Sequence, residues 1–254
     1  MDKKTIMIAL GGNSLSPKGS SGTVGEQFSF TRRTMDHLSE FILKDYNICI
    51  THGNGPQVGN ELLRMDLTNN VVPPLPLGIC VANTQGQIGY MVQQTLQNKL
   101  RDLEVDREVV TLVTQVLVDK NDKSIKNPTK FVGARYTKKE IVKLAKKLNW
   151  SVKEQEPGSW RRVVPSPMPE YIMHGKSIKA LVDRGTIVVA FGGGGIPVFN
   201  NNNDQIEGLD AVIDKDFSAA KMGRIIRAQE LWIISDIDYL YSNFGTENAR
   251  PIKE

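Results

Sequence analysis

Three glycine-rich turns and a lysine set among aspartates carry the chemical signal in this sequence. Gly11-Gly12-Asn13 follows an apolar run that ends at Leu10, and Gly53-Asn54-Gly55-Pro56 comes just after another, Asn47–Thr51. Gly192 to Gly195 follow a third, ending at Phe191. Glycine lets backbone N–H groups approach a ligand with no side chain in the way, and amides at helix starts attract anions, phosphates above all. One such turn reads first as a tight connection needing positive φ. Three of them at three strand ends point to one anion-binding place, because ligands of open parallel sheets sit beyond the carboxyl ends of the strands.

Charged partners stand downstream. Asp210, Asp214, Lys215 and Asp216 cluster at an expected helix start, and Asp236, Asp238, Tyr239 and Tyr241 close an apolar run. Taken alone, the carboxylates read equally as surface ion pairs; opposite glycine turns they fit the handling of a phosphate and its Mg²⁺. His37, His52 and His174 make no metal set, and His52, the one near a turn, reads as a packing or hydrogen-bonding residue. Two known nucleotide motifs fail. Val58 stands where a third glycine would complete G-x-G-x-x-G after Gly53 and Gly55. Glu170 stands where a Walker loop ending in Gly175-Lys176-Ser177 needs its first glycine.

The elements that must position these residues follow from periodicity. Thr5–Leu10, Asn47–Thr51, Val109–Val118, Thr186–Phe191 and Leu231–Ser235 read as short buried strands. Helical spacing appears over 31–44, through Met35, Leu38 and Ile42, and over 137–148, through Ile141, Leu144, Ala145 and Leu148. Apolar strands alternating with helices predict a parallel sheet covered on both faces. Between Asp119 and Pro169 the texture changes to many charges, Trp150, Trp160 and the Pro165–Pro169 segment, an excursion from the main sheet. The lysines of 137–148 read as a solvated helix face and Asn200–Asn203 as a polar loop.

Composition bounds the class. The chain has 254 residues with 32 Lys and Arg against 28 Asp and Glu, a net charge of +4 not gathered into a basic, aromatic-interleaved run, so nucleic acid is not the expected partner. Cys49 and Cys80 are too few for a disulfide framework or a multi-Cys zinc site. No stretch approaches the ~18 apolar residues of a membrane span, and Ile6–Leu10 is too short for a signal sequence, so a cytoplasmic protein is expected.

Seven segments together resemble the carbamate kinases, a branch of the amino-acid kinase family. They are Ala9–Asn13, Thr51–Asn60, Gln85–Met91, Asn127–Lys130, Trp160–Pro167, Gly192–Val198 and Ala211–Asp216, spread along the chain in family order. The resemblance implies a three-layer αβα sandwich around a mostly parallel sheet, a single domain over 1–254 with a protruding lid over 119–169, and a homodimer. It implies reversible phosphoryl transfer between carbamoyl phosphate with ADP and carbamate with ATP, run toward ATP in arginine fermentation, with Mg²⁺ accompanying the nucleotide. Gly11, Gly12 and Asn13 would hold the transferred phosphoryl. Gly53, Asn54 and Gly55 would hold the carbamate end, with the Gly192, Gly193 and Gly194 turn beside them. Lys215 would neutralise the transferred group, Asp210 would orient the donors, and Lys130 would reach over the acceptor. Asp214, Asp236, Asp238, Tyr239 and Tyr241 would line the nucleotide.

Three features depart from the family pattern. Phe131 follows Lys130 where a proline is usual, and Val81-Ala82-Asn83-Thr84 replaces a stretch of small residues, Met and Ser. No Gly-Pro-Lys occurs, so the nucleotide-binding half, about 205–254, is expected to be incomplete. A catalytically weak relative that binds ligand or dimerises is the alternative expectation.

Overall fold

The computed structural model describes residues 3–17, 19–235, 239, 241–243 and 246–252, with side chains at all of these except Asn13 and Ser14. In chain order it runs β1 (Thr5–Leu10), α1 (Gly12–Leu15), α2 (Val24–His37), α3 (Ser39–Leu43), β2 (Asn47–His52), α4 (Gly55–Thr68) and α5 (Leu77–Asp102). Next come β3 (Val109–Leu112), β4 (Gln115–Val118), α6 (Lys123–Lys126), β5 (Lys130–Tyr136), α7 (Lys138–Leu148), β6 (Val152–Glu156) and β7 (Ser159–Val164). The remainder is β8 (Pro169–Ile172), α8 (Gly175–Asp183), β9 (Ile187–Ala190), a 3₁₀ turn at Gly192–Gly194, β10 (Ile196–Asn200), β11 (Ile206–Gly208), α9 (Lys215–Ile226), β12 (Glu230–Ile234), β13 (Tyr241–Ser242) and β14 (Arg250–Pro251).

The main sheet has the order β12-β1-β2-β9-β3 and every pairing in it is parallel. Successive residues of β1 serve opposite cores. Ile6, Ile8 and Leu10 pack with Met35, Leu38, Ile88 and Leu96, while Met7 and Ala9 pack with Ile178, Val182, Met222 and Ile226. Helices therefore cover both faces, and a strand with no solvent face must be apolar at every position. This is the expected αβα sandwich.

The expected strand over Val109–Val118 divides. β3 stays in the main sheet, while β4 joins a second sheet of order β11-β10-β4-β8 that contains two antiparallel pairings. The break comes at Thr114, whose N–H and C=O are both held by the buried Gln85 side chain of α5. The expected helix over 31–44 begins earlier, at Val24, where Thr23 accepts from the Glu26 amide, and is interrupted at Leu38 between α2 and α3. β12 is an edge strand: Leu231, Trp232 and Ile233 are 41–45% exposed, not buried as their run predicts.

Within 119–169 the chain forms α6, α7 and an antiparallel sheet of order β5-β7-β6. This sheet rests directly on α4. A Cβ at Gly59 would stand 1.9 Å from Gly133 Cα, so only glycine on α4 lets the backbones approach this closely. The contact is reinforced by Asp66 of α4, which accepts from Trp150 Nε1 at 2.7 Å and Arg162 Nη1 at 2.9 Å.

Candidate functional site

Because β1, β2 and β9 are parallel neighbours, the three glycine turns that follow them emerge side by side. A cleft of about 200 Å³ lies there. The turns line it with Gly12, Gly53, Asn54, Gly55 and Gly193; β5 and β7 contribute Lys130, Phe131 and Arg161; the start of α9 contributes Asp214, Lys215 and Asp216. Such a volume has room for roughly six or seven waters, which suits a phosphoryl group with a small acid and not a whole nucleotide.

The turns are packed against one another. A Cβ at Gly53 would lie 2.8 Å from Gly12 N, and one at Gly193, where φ is +65°, would lie 2.2 Å from the Asn54 amide. All three glycines of that turn are buried; Gly192 abuts the His52 ring and Gly194 the Ile213 backbone, and of the three Gly193 lines the cleft. Gln85 Nε2 donates to Gly192 O at 3.1 Å and Ser218 Oγ to Gly194 O at 2.7 Å, fixing the turn from α5 and α9. Asn54, buried, donates to Thr84 Oγ1 at 2.9 Å.

The amides do not divide as the sequence suggests. Gly11 N–H is donated to Ile234 O at 2.7 Å and Gly53 N–H to Leu10 O at 2.9 Å, so both complete the sheet and neither is free for an anion. Gly55 and Gln57, in the first turn of α4, have no intrahelical acceptor for theirs, and the helix dipole adds partial positive charge there. Asn13 enters α1, but its side chain lies outside the described residues.

The two lysines come from different elements, Lys130 from the start of β5 and Lys215 from the start of α9. Lys130 Nζ is 2.5 Å from Asp214 Oδ2, and Lys215 Nζ is 2.5 Å from Asp216 Oδ1. Asp214 also caps α9, accepting from the Asp216 amide at 2.9 Å. Burial raises the Asp214 pKa, but the Lys130 charge and hydrogen bond, the Asp216 amide and Lys215 outweigh it and hold the carboxyl below its ordinary value. His52 is buried, its pKa pushed down to about 4 by desolvation, so it is neutral at physiological pH and serves as packing beneath Gly192. Among the described residues no three His, Cys, Asp or Glu side chains gather as a metal cluster. Asp214 and Asp216, each beside a lysine, fit a divalent ion only as one that arrives on nucleotide phosphates.

Other expected residues fall elsewhere. Asp210 is exposed and outside the cleft; its Oδ1 accepts from Gly78 N at 3.2 Å at the start of α5. The carboxylate beside Lys215 is that of Asp216, the next residue in the chain. Tyr239 and Tyr241 are exposed and do not line the cleft, and Asp236 and Asp238 lie outside the described residues. Sequence reasoning missed Arg161, whose place depends on the strand pairing of β5 and β7. It also gave no role to Gln85, whose signal was a polar residue on the apolar face of α5, between Val81 and Ile88.

Known proteins share this fold. The model of the amino acid kinase family matches residues 4–254. The chain is 45% identical over 244 residues to a carbamate kinase of Pyrococcus horikoshii, covering 95% of this chain and 77% of that one. Carbamate kinase from Giardia lamblia bound to citric acid superposes with a TM-score of 0.90 at 36% identity, covering 92% of this chain and 76% of that one. The same enzyme bound to AMP-PNP gives 0.83 at 35% identity, covering 98% and 79%. The chain belongs to the amino acid kinase family.

Proposed function

We propose that this chain is a carbamate kinase that transfers a phosphoryl group reversibly between carbamoyl phosphate with ADP and carbamate with ATP. One observation carries the reading: three glycine turns and two lysines from distant parts of the chain line a single small cleft. Both reactants are anions, and two unit charges at 4 Å repel by roughly 4 kcal/mol at an effective dielectric of 20. In-line phosphoryl transfer asks the protein for alignment and charge neutralisation more than for covalent chemistry.

The residues divide that work. Lys215 supports the transferred phosphoryl beside Gly12, with Asp216 fixing its ammonium. Asn54 and Gly55 hold the carbamate end at the start of α4, and Lys130 reaches over it from β5. No general base is needed, because carbamate is already an anion. Mg²⁺ bound with the nucleotide would supply further neutralisation of the phosphates, and Asp214, kept ionised, is the carboxylate placed to meet it. A homodimer is part of the same proposal, supported by the exposed Leu67, Val71, Val72 and Ile79. No described helix is long and apolar enough to cross a membrane, which supports a cytoplasmic setting.

A coupled assay of ATP formation from ADP and carbamoyl phosphate tests the reading. Turnover that depends on both substrates is expected. Binding of ADP without turnover would favour a ligand-binding relative instead.

A further inference from the structure

Three cations line the cleft, and two of them already have carboxylates: Lys130 is held by Asp214 and Lys215 by Asp216. The third is Arg161. Its Nη2 donates to Gly133 O at 2.8 Å and its Nη1 to Gln155 Oε1 at 3.1 Å, both neutral acceptors. Its Nε is buried with no hydrogen-bond partner, and Arg161 makes no ion pair among the described residues. Arg135 and Glu156 stand near and pair with each other at 2.9 Å; the Glu156 charge favours the Arg161 cation and the Arg135 charge opposes it. The half-buried guanidinium stays protonated, and leaving its buried Nε donor unanswered costs free energy. An anionic ligand removes that cost.

Arg161 is also the residue through which the cleft adjoins a larger cavity of about 490 Å³, whose wall it shares along with Pro56. It stands on β7, which pairs with the strand that carries Lys130, so both reach the cleft from the protruding sheet to which the acceptor is assigned above. The planar fork of a guanidinium matches the two carboxylate oxygens of carbamate, and the carbonyl and bridging oxygens of carbamoyl phosphate, as a lysine does not.

We propose that Arg161 is a substrate-binding residue that recognises the carbamoyl end of carbamoyl phosphate, as the one cation lining the cleft that has no direct ion pair among the described residues. This rests on the phosphotransferase reading above, and two readouts keep the two apart.

In the coupled assay, Arg161→Gln is expected to raise KM for carbamoyl phosphate by roughly 10- to 100-fold, the loss of one or two charge-assisted hydrogen bonds. KM for ADP should hold. Arg161→Lys should fall between, and Gln155→Ala, which removes only the neutral partner on β6, should behave as wild type. A KM for carbamoyl phosphate unchanged in Arg161→Gln, a change confined to ADP, or an equal rise in Gln155→Ala would overturn the proposal. Wild-type protein that makes no ATP would sink the phosphotransferase reading alone. The assignment is then read from the rise in Tm given by carbamoyl phosphate without nucleotide, expected in wild type and Gln155→Ala and absent in Arg161→Gln. A rise equal in wild type and Arg161→Gln, or none in either, overturns it.

Discussion

Lys130, the first residue of β5, meets Asp214, the cap of α9, at 2.5 Å across the cleft, so one ion pair joins the protruding sheet to the helix that carries Lys215. Each side chain is about one-third exposed. The ammonium assigned to the acceptor is thus engaged by a carboxylate. An incoming anion must compete with Asp214, which makes the pair sensitive to both pH and substrate.

The pH dependence has a definite sign. The folded pKa of Asp214 lies below its ordinary value, so its contribution is complete above the unfolded pKa, near ~4, and is lost as pH falls through the depressed folded value. Asp214→Asn keeps an acceptable helix cap and removes the charge. In urea denaturation the variant should be less stable than wild type by about 1 kcal/mol at neutral pH, the figure being small because the pair is part-exposed. The gap should narrow as pH falls below ~4 through the depressed folded value. An equal gap at both ends of the range would show that Asp214 acts through shape alone.

His52 gives a second titration. Burial lowers its pKa to about 4, so between the unfolded value near ~6.5 and about 4 the unfolded chain takes up a proton that the folded protein refuses. Stability should therefore decline across that window on acidification. A ring NMR signal for His52 that titrates near 6.5 would contradict its placement beneath Gly192.

Lys215→Ala should lower kcat for ATP formation by roughly 10²- to 10³-fold, the usual effect of removing one donor to transition-state charge. Its Tm should move little, since its ion pair is with a half-exposed neighbour. Stopped assays at saturating ADP and carbamoyl phosphate read kcat directly, and wild-type turnover in the variant would remove the role.

Much of this was legible before any coordinates. The apolar runs give the main sheet because a strand buried on both faces must be apolar throughout, as β1 is. The glycine turns announce the cleft because their spacing after strand ends is local information. What was not legible depends on distant pairing. Nothing near Gly11 or Gly53 says that their amides complete the sheet through Ile234 and Leu10. Asp210 and Asp216 both neighbour Lys215 in the sequence, and only the turn into α9 decides that Asp216 meets its ammonium. The run Val109–Val118 hides a change of sheet, because the cause is Gln85 on another element.

The last prediction concerns a residue that touches no substrate. Gly59 of α4 and Gly133 of β5 are in backbone contact, and a methyl group at 59 would stand 1.9 Å from Gly133 Cα and 2.1 Å from Gly133 N. Neither backbone can rotate out of the way as a side chain could, so α4 and the protruding sheet must separate. Gly59→Ala should cost roughly 1–3 kcal/mol of stability, the range for overpacking a close-packed contact. Lys130 and Phe131 open the same strand β5, so the separation should also withdraw them from the cleft and lower kcat/KM for carbamoyl phosphate more than for ADP. Gly86→Ala on α5 supplies the control. It is exposed, a Cβ there meets nothing within 4 Å, and the change should stabilise by about 0.5–1 kcal/mol through helix propensity. If Gly59→Ala leaves both Tm and kcat/KM at the wild-type level, α4 does not set the position of the sheet that carries Lys130.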